Sequence, residues 1–299
     1  MNLWRWEVTP GDYHLGVSLD PDGRAVSDIT ARHPHIVSVG DLWREHASIK
    51  SVLEWLTAFS DENTTESVDD RRLRVPVEVS ECWAAGVTYE ISRKARREET
   101  SGAEVFYDRV YSAERPELFF KAPGARVLGP GDAMGLRRDS RWSVPEPELT
   151  LIVAPSGEVF GYTIGNDLSS RDIEGENPLY LPQAKLFYGS ASIGPSIALA
   201  TTVDPRTLTI QMSIHRDQRE VFRGEIQTAQ MRRPLADLVR YLRAEWPLDG
   251  WTALMTGTAL VPPAEFRLED GDAVAITITG IGTLVNPVRR IDPSWVAVP

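Results

Sequence analysis

Three acidic residues and one lysine in the middle of the chain have the types and spacing of a metal site. Glu146 and Glu148 are two residues apart, Asp167 ends the next apolar run, and Lys185 follows. Because a strand turns successive side chains to opposite faces, Glu146 and Glu148 share a face, and Asp167 can meet them across a hairpin. Oxygen ligands of this kind suit Mg²⁺, with Mn²⁺ or Ca²⁺ as substitutes. The pattern therefore predicts a Mg²⁺ site with positions open for water and an oxyacid.

A simpler interpretation of an i, i+2 acidic pair is a solvated strand face, and Lys185 alone could close a surface salt bridge. Longer motifs decide between these interpretations. They are residues 145–149 (PEPEL), residues 161–172 (GYTIGNDLSSRD), Lys185 and residues 281–284 (IGTL). In order and spacing, these motifs resemble the fumarylacetoacetate hydrolase family over about residues 75 to 295. The resemblance implies that Glu146, Glu148 and Asp167 are metal ligands in a mostly β catalytic domain.

Three further segments are similar to one branch of that family, whose members dehydrate 2-keto-3-deoxy pentonates. They are residues 115–121 (RPELFFK), residues 176–183 (ENPLYLPQ) and residues 256–262 (TGTALVP). The resemblance then covers nearly the whole chain. It implies Mg²⁺-dependent dehydration of a small anionic 2-oxo sugar acid, such as 2-keto-3-deoxy-D-arabinonate, to 2,5-dioxopentanoate. It also implies a homo-oligomer, either a dimer or a tetramer.

The resemblance implies catalytic roles for three ionisable side chains. Lys185 would offset the charge of the carboxylates and hold a substrate carboxylate or enolate, or act as a base. Glu117 and Glu90 are the candidates for moving protons, since a partly buried carboxyl can protonate a leaving hydroxyl. A structural salt bridge of Glu117 with Arg115 or Lys121 is the alternative.

Several polar residues resemble positions that line the substrate pocket in the family, where hydroxyl and amide groups can recognise the hydroxyls of a sugar acid. Arg171 has two interpretations, because a guanidinium can bind a substrate carboxylate or pair with Asp172 to fix the loop and orient Asp167. The ion pair is the favoured interpretation. The predicted substrate-binding residues are Thr88, Tyr89, Arg171, Tyr180, Gln183 and Thr258.

A missing histidine bears on the type of reaction. In hydrolases of the family, a histidine soon after a Gly-x-x-Tyr stretch activates water; here that stretch is residues 86–89, and Ser92 stands in the expected place. The five histidines, His14, His33, His35, His46 and His215, lie outside the motif region. This disfavours an acylpyruvate hydrolase or an oxaloacetate decarboxylase. A non-catalytic ligand-binding paralogue is disfavoured because the three carboxylates and Lys185 are all present.

Composition excludes several classes of protein. The net charge of −11 argues against a nucleic-acid surface. The lone cysteine, Cys82, begins an apolar run, which predicts a packed core thiol and no disulfide within the chain. No basic-then-apolar leader opens the sequence, and no apolar stretch approaches the length of about 18 residues that spans a membrane. We therefore expect a cytoplasmic protein with neither a membrane nor a nucleic-acid partner.

The sequence predicts an α+β protein. A small N-terminal α/β domain is expected over residues 1–70, and a mostly β catalytic domain, which positions the site, over residues 71–299. Residues 149–153 and 159–164, joined by a Pro-Ser-Gly turn, predict a hairpin. Apolar residues between Leu42 and Phe59 recur at helical spacing after Asp41, a candidate N-cap. Residues 89–110 suit either a mobile helical lid or a solvated surface helix.

Overall fold

The structure, a computed structural model, describes residues 1–62, 67–68, 72–90, 113–292 and residue 294. Strands predominate among these residues, and the helices between them are short. The α+β class predicted from the sequence is therefore confirmed.

The element bounds in the described residues are as follows. The strands are β1 (Asn2–Thr9), β2 (Asp12–Ser18), β3 (Val26–Asp28), β4 (Arg72–Leu73), β5 (Glu81–Gly86), β6 (Glu117–Pro123), β7 (Met134–Leu136), β8 (Ser143–Val144), β9 (Pro147–Val153), β10 (Val159–Asp167), β11 (Ser169–Ser170), β12 (Ala191–Leu199), β13 (Thr209–Arg216), β14 (Arg219–Gln227), β15 (Thr252–Met255), β16 (Ala273–Ile278) and β17 (Gly282–Arg290). The α-helices are α1 (Ile29–Arg32), α2 (Val39–His46), α3 (Ile49–Glu62), α4 (Arg171–Glu176), α5 (Leu181–Lys185) and α6 (Leu235–Arg243). Short 3-10 turns cover Gly124–Arg126, Pro178–Tyr180 and Thr228–Gln230.

The largest sheet in the described part of the chain has ten strands. Nine follow the order β3-β2-β1-β12-β10-β9-β15-β5-β6, and β4 pairs with β1. Strand β1 pairs antiparallel with β12, so that Asn2 lies opposite Ala198. Strands from both sides of residue 70 therefore belong to one sheet. A separate folding unit over residues 1–70 remains a prediction.

The two faces of this sheet cover different cores. Leu151 on β9 belongs to a core shared with β13 and β16, whereas Ile152 belongs to a core shared with α1, α2 and α3. Because neighbouring side chains on a strand point to opposite faces, the second sheet (β14-β13-β16-β17-β7) covers one face and the helices cover the other. Cys82 is fully buried in the helix-side core, as predicted, and burial raises the pKa of its thiol.

The hairpin that carries the acidic residues forms as predicted. Strands β9 and β10 pair antiparallel, with Glu148 opposite Gly165 and Pro147 opposite Asn166. On its other side, β10 pairs with β12, and β9 pairs with β15. The acidic end of the hairpin therefore lies in the middle of the largest sheet, where strand ladders on both sides fix its backbone.

The helix predicted after Asp41 is two helices. The hydroxyl of Ser38 accepts a hydrogen bond from the N–H of Asp41 (3.2 Å), so Ser38 is the N-cap of α2 and Asp41 lies in the first turn. The carboxylate of Asp41 accepts from the N–H of Val37 (3.1 Å), close to a capping-box arrangement. Ala47 has a left-handed backbone (φ 53°) and ends α2 before α3 begins at Ile49. The apolar spacing continues across this break, and for that reason the sequence suggested one helix.

Strands β13 and β14 form a second antiparallel hairpin. The segment predicted to be a lid lies outside the described residues beyond Glu90. Every helix in the described ranges is too short or too polar to cross a membrane.

The packing around Gly161 on β10 predicts a loss of stability on substitution. A Cβ atom there would lie 2.4 Å from Cγ2 of Ile197 and 2.5 Å from the carbonyl oxygen of Ala198. Because backbone in a central strand cannot easily move away, we expect Gly161→Ala to lower the free energy of unfolding by about 1–3 kcal/mol. Urea unfolding followed by circular dichroism measures this change.

Gly40 provides the matched control, because it lies inside helix α2 and a Cβ there would meet ordinary contacts at 3.5 Å or more. Gly40→Ala should leave the free energy of unfolding unchanged or raise it by up to about 1 kcal/mol. Equal effects of the two substitutions would contradict the packing described for β10.

Candidate active site

The three carboxylates predicted as metal ligands lie together. Glu146, Glu148 and Asp167 each offer an oxygen, and these oxygens lie within 4.8 Å of one another. All three residues are at most 2% exposed. Carboxylates are seldom buried without a cation or hydrogen-bond donors, so a solvated strand face is the wrong interpretation of the Glu-Pro-Glu sequence.

The hairpin ends place these carboxylates. Glu146 precedes β9 and its carbonyl accepts a hydrogen bond from the N–H of Asp167 (3.0 Å), which fixes the two residues opposite each other. Glu148 lies two residues further along, on the same face. Its Oε2 accepts a hydrogen bond from the N–H of Gly257 (2.6 Å), just after β15. Asp167 therefore lies beside the two glutamates across the hairpin, as predicted.

Lys185, at the end of α5, joins the carboxylates. Its Nζ donates to Oε2 of Glu146 (2.8 Å), to Oδ2 of Asp167 (3.0 Å) and to Oγ of Ser169 (2.5 Å). Lys185 is 1% exposed, so the alternative of a surface salt bridge is excluded. A buried ammonium in contact with two of the three carboxylates offsets part of their charge.

The electrostatics of the cluster fit a bound divalent cation. Burial, and then the nearby charges of Asp167 and Glu146, hold the pKa of Glu148 well above its ordinary value. Oδ1 of Asp167 is buried and forms an ion pair with Nζ of Lys121 at 2.6 Å. Three buried carboxylates that lie this close together form a set of oxygen donors that suits Mg²⁺. The residues present therefore fit the metal implied by the sequence.

Arg171 contacts the carboxylates directly. Its Nη2 lies 2.8 Å from Oε1 of Glu146, and its Nη1 lies 3.7 Å from Oε2 of Glu174. Asp172, the partner favoured from the sequence, instead accepts hydrogen bonds from the hydroxyl of Ser140 and from the N–H of Arg141, both at 2.7 Å. The favoured interpretation was wrong because the first residues of α4 point in different directions. Arg171 faces the acidic cluster and Asp172 faces the loop before β8.

A cleft opens onto these groups. Glu117, at the start of β6, and Thr258 border it together with the three metal-site carboxylates and Lys185. A Cβ at Gly86 would lie 2.1 Å from Oε2 of Glu117, so the missing side chain at that position makes room for the Glu117 carboxylate. The described residues that line the cleft are Ala85, Gly86, Val87, Glu117, Phe119, Glu146, Glu148, Asp167, Arg171, Glu174, Leu181, Lys185, Thr258 and Val261.

Five predicted site residues are absent from the cleft lining among the described residues. Thr88 is buried and donates to the carbonyl of Thr256 (2.7 Å). Tyr89 is buried in the core on the side of the second sheet, and burial raises the pKa of its phenol. Glu90 and Gln183 are exposed, and Tyr180 is half-buried in a 3-10 turn. Thr88 lies behind Gly257, since a Cβ on that glycine would meet its hydroxyl at 2.1 Å. Roles for these five residues in catalysis or substrate binding stay predictions.

Sequence reasoning missed two residues of the site. Glu174 is buried and lines the cleft. Lys121, considered only as an ion-pair partner of Glu117, is fully buried and instead lies 2.6 Å from Oδ1 of Asp167. A signal was present, because only four of the 32 basic residues are lysines and Lys121 follows the apolar run Leu118-Phe119-Phe120. Burial lowers the pKa of Lys121, and Asp167 acts in the opposite direction. Ser92 lies outside the described residues.

Comparisons with known proteins show the family of this chain. The family model "Fumarylacetoacetate (FAA) hydrolase C-terminal" matches residues 93–289. The chain is 45% identical over 268 residues to a probable 2-keto-3-deoxyxylonate dehydratase of Haloferax volcanii, covering 88% of this chain and 92% of that protein. It is 41% identical over 227 residues to the 2-dehydro-3-deoxy-D-arabinonate dehydratase of Saccharolobus solfataricus, covering 75% and 76% respectively.

A solved structure extends the similarity to the fold. It is the structure of 2-keto-3-deoxy-D-arabinonate dehydratase complexed with magnesium and 2,5-dioxopentanoate. The TM-score is 0.77 and the identity 33%, with 97% of this chain and 99% of the other covered. The chain therefore belongs to the fumarylacetoacetate hydrolase family.

Proposed function

We propose that this protein is a Mg²⁺-dependent hydro-lyase that converts a 2-keto-3-deoxy pentonate, such as 2-keto-3-deoxy-D-arabinonate, to 2,5-dioxopentanoate. The observation that carries the proposal is one buried cluster of Glu146, Glu148, Asp167 and Lys185, bordered by Glu117 in the same cleft. The two dehydratases that resemble the chain, and the magnesium and 2,5-dioxopentanoate in a similar structure, support the substrate class and the metal.

The metal would be held by Glu146, Glu148 and Asp167, with Mn²⁺ or Ca²⁺ as substitutes. When bound, Mg²⁺ supplies Lewis-acid catalysis, which withdraws charge from a 2-oxo group and acidifies the C–H bonds beside it. Hydrogen bonds and ion pairs of the fold hold the three carboxylates close together. Their buried backbone hydrogen bonds therefore reduce the reorganisation that binding requires.

The charge of the cleft explains why a carboxylate substrate would need the divalent ion. The described residues that line the cleft include five carboxylates and two cations, Arg171 and Lys185, and Lys121 pairs with Asp167 from outside the lining. An anionic 2-oxo acid would be repelled by this excess of negative charge. The two positive charges of a bound Mg²⁺ would bring the net charge of the cleft close to zero. Arg171 and Lys185 can then bind substrate oxygens at short range.

The dehydration requires a proton to leave C3 and a hydroxyl to leave C4, followed by tautomerisation to the C5 aldehyde. We assign the C3 end to Lys185, whose Nζ lies within 3.0 Å of two of the carboxylates. The neutral amine form of Lys185 would accept the C3 proton and become an ammonium, which would then stabilise the enolate. We assign the departing C4 hydroxyl to Glu117, which borders the cleft from β6, a different strand of the sheet. Protonation of the hydroxyl by a positioned carboxyl makes water the leaving group.

We also propose that the protein acts as a cytoplasmic homo-oligomer. The exposed Leu179 (83%) and Leu186 (41%) flank the helix that carries Lys185, and apolar residues in such a position suit a subunit interface. Light scattering distinguishes a dimer or tetramer from a monomer, and a monomer would refute this part of the proposal.

One comparison of substrates tests the function. With Mg²⁺, the purified protein should form 2,5-dioxopentanoate from 2-keto-3-deoxyarabinonate or its C4 epimer, and treatment with EDTA should remove this activity. Acetylpyruvate and oxaloacetate should react only at background rates. A histidine base typically contributes about 10²- to 10⁴-fold, and Ser92 stands in its place. Rapid release of pyruvate from acetylpyruvate would favour the hydrolase alternative, and inertness toward all four compounds would favour a binding protein.

The metal assignment is tested by Glu148→Gln. This change removes one charge and one ligand position while it preserves the shape of the side chain. We expect Mg²⁺ affinity to fall at least about 100-fold, the upper end of the 10–100-fold typical of residues behind metal ligands. Dehydration should be lost and the fold retained. Isothermal titration calorimetry of the metal-free protein measures the affinity.

The control for Glu148→Gln is Glu158→Gln, because Glu158 is exposed at the turn of the same hairpin. It should bind Mg²⁺ like the wild type. If both variants bind Mg²⁺ equally well, Glu148 is not a ligand.

The separate roles assigned to Lys185 and Glu117 predict that variants at the two positions differ in hydrogen exchange at C3 in D₂O. If Lys185 forms or stabilises the enolate, Lys185→Ala should lose both dehydration and exchange of the C3 hydrogens. Because enolisation precedes loss of the hydroxyl, Glu117→Gln should lose dehydration by about 10²- to 10⁴-fold and keep some exchange. NMR of 2-keto-3-deoxyarabinonate follows both processes in one sample. Normal exchange with Lys185→Ala, or wild-type product formation with Glu117→Gln, would refute the assignment.

A further inference from the structure

Each oxygen of Asp167 lies beside a different lysine. Oδ2 accepts a hydrogen bond from Nζ of Lys185 (3.0 Å), and Oδ1 lies 2.6 Å from Nζ of Lys121. Lys185 belongs to the cleft lining, whereas Lys121 is absent from that lining among the described residues. Lys121 thus approaches Asp167 from behind the site.

Lys121 also holds the backbone on both sides of the cluster. Its Nζ donates to the carbonyl of Leu168 (3.0 Å), the residue after Asp167, and to the carbonyl of Lys185 (2.6 Å). One ammonium on β6 therefore joins three parts of the fold: β6 itself, the end of β10 and the end of α5. The three oxygens around Nζ match the three N–H groups of a charged lysine.

Fold stability alone does not explain a lysine at this position. Lys121 is fully buried, and removing an ammonium from water is costly even when a carboxylate lies beside it. An apolar side chain of similar size would fill the same space without that cost. The other functional lysine, Lys185, is the residue whose carbonyl Lys121 binds. The buried ammonium that costs stability therefore lies where it contacts Asp167 and Lys185.

We propose that Lys121 is a positioning residue that fixes the carboxylate of Asp167 and the backbone of Lys185 relative to each other. This inference rests on the proposed Mg²⁺ site. Lys121 acts through Asp167, which it orients as a metal ligand, and through the end of α5, which it holds so that the Lys185 ammonium faces Glu146 and Asp167. Lys121 is absent from the cleft lining among the described residues, so its action on the site is indirect.

The effect on metal affinity has opposite signs for two possible roles. If Lys121 only balanced charge, its removal would make the site more negative and Mg²⁺ would bind more tightly. If Lys121 orients Asp167, its removal frees the ligand to rotate and Mg²⁺ binds more weakly. Residues behind a metal ligand typically change metal affinity by about 10–100-fold when they are replaced. The direction of the change therefore separates the two roles.

The experiment compares Lys121→Met and Lys121→Gln with the wild type and with Lys50→Met as control. Methionine keeps the length of the side chain without charge, and glutamine keeps an N–H donor for one of the two carbonyls. Lys50 is exposed on α3, and its Nζ is 3.9 Å from Glu54. Isothermal titration calorimetry with MgCl₂ on metal-free protein gives the Kd, and circular dichroism with thermal unfolding reports the fold.

We expect folded Lys121→Met and Lys121→Gln to bind Mg²⁺ about 10–100-fold more weakly than the wild type, and Lys50→Met to bind it normally. The Mg²⁺ concentration for half-maximal dehydration should rise in parallel. Unchanged or tighter binding in the folded variants would overturn the proposal. Loss of the fold in both variants would also overturn it, since Lys121 would then serve stability. If titration with MgCl₂ shows that the wild type itself binds no Mg²⁺, the proposed function is refuted, and this result is distinct from a failure of the role proposed for Lys121.

Discussion

The repulsion among three buried carboxylates is the constraint on which the rest of this structure depends. Oxygens of Glu146, Glu148 and Asp167 lie within 4.8 Å of one another in a part of the protein that water scarcely reaches. Their charges would push them apart unless cations and hydrogen-bond donors lie nearby. Lys185, Lys121 and Arg171 supply that positive charge from behind and beside the cluster. Burial, and then the charges of Asp167 and Glu146, raise the pKa of Glu148, and a divalent cation bound to the cluster would act in the opposite direction.

The fold meets this constraint by combining a rigid base with a short helical segment. The carboxylates stand at the ends of β9 and β10, central strands that are fixed by ladders on both sides. Two of the compensating cations, Arg171 and Lys185, come from the next segment of the chain, at the start of α4 and the end of α5. The third cation, Lys121, comes from β6 and joins the two parts. The substrate cleft is the space that remains between them.

Such a site is costly to build, and the rest of the molecule offsets the cost. Buried charges that are only partly paired weaken a fold. The large sheet has an apolar core on each face, one against the second sheet and one against α1, α2 and α3. The N-terminal strands widen that sheet by pairing with β12. An enzyme of this family can therefore hold a buried acidic cluster because it buries a large apolar area elsewhere.

The sequence by itself determined the features that depend on local chain geometry. Glu146 and Glu148 share a face because a strand alternates, and the turn at residues 155–157 brings Asp167 back to them. Tertiary structure alone decided the partners that come from distant segments. Lys121 meets Asp167, Arg171 meets Glu146 rather than Asp172, and Thr88 lies behind Gly257. Spacing along a chain fixes which side chains share an element's face, whereas the packing of one element against another decides which charges meet.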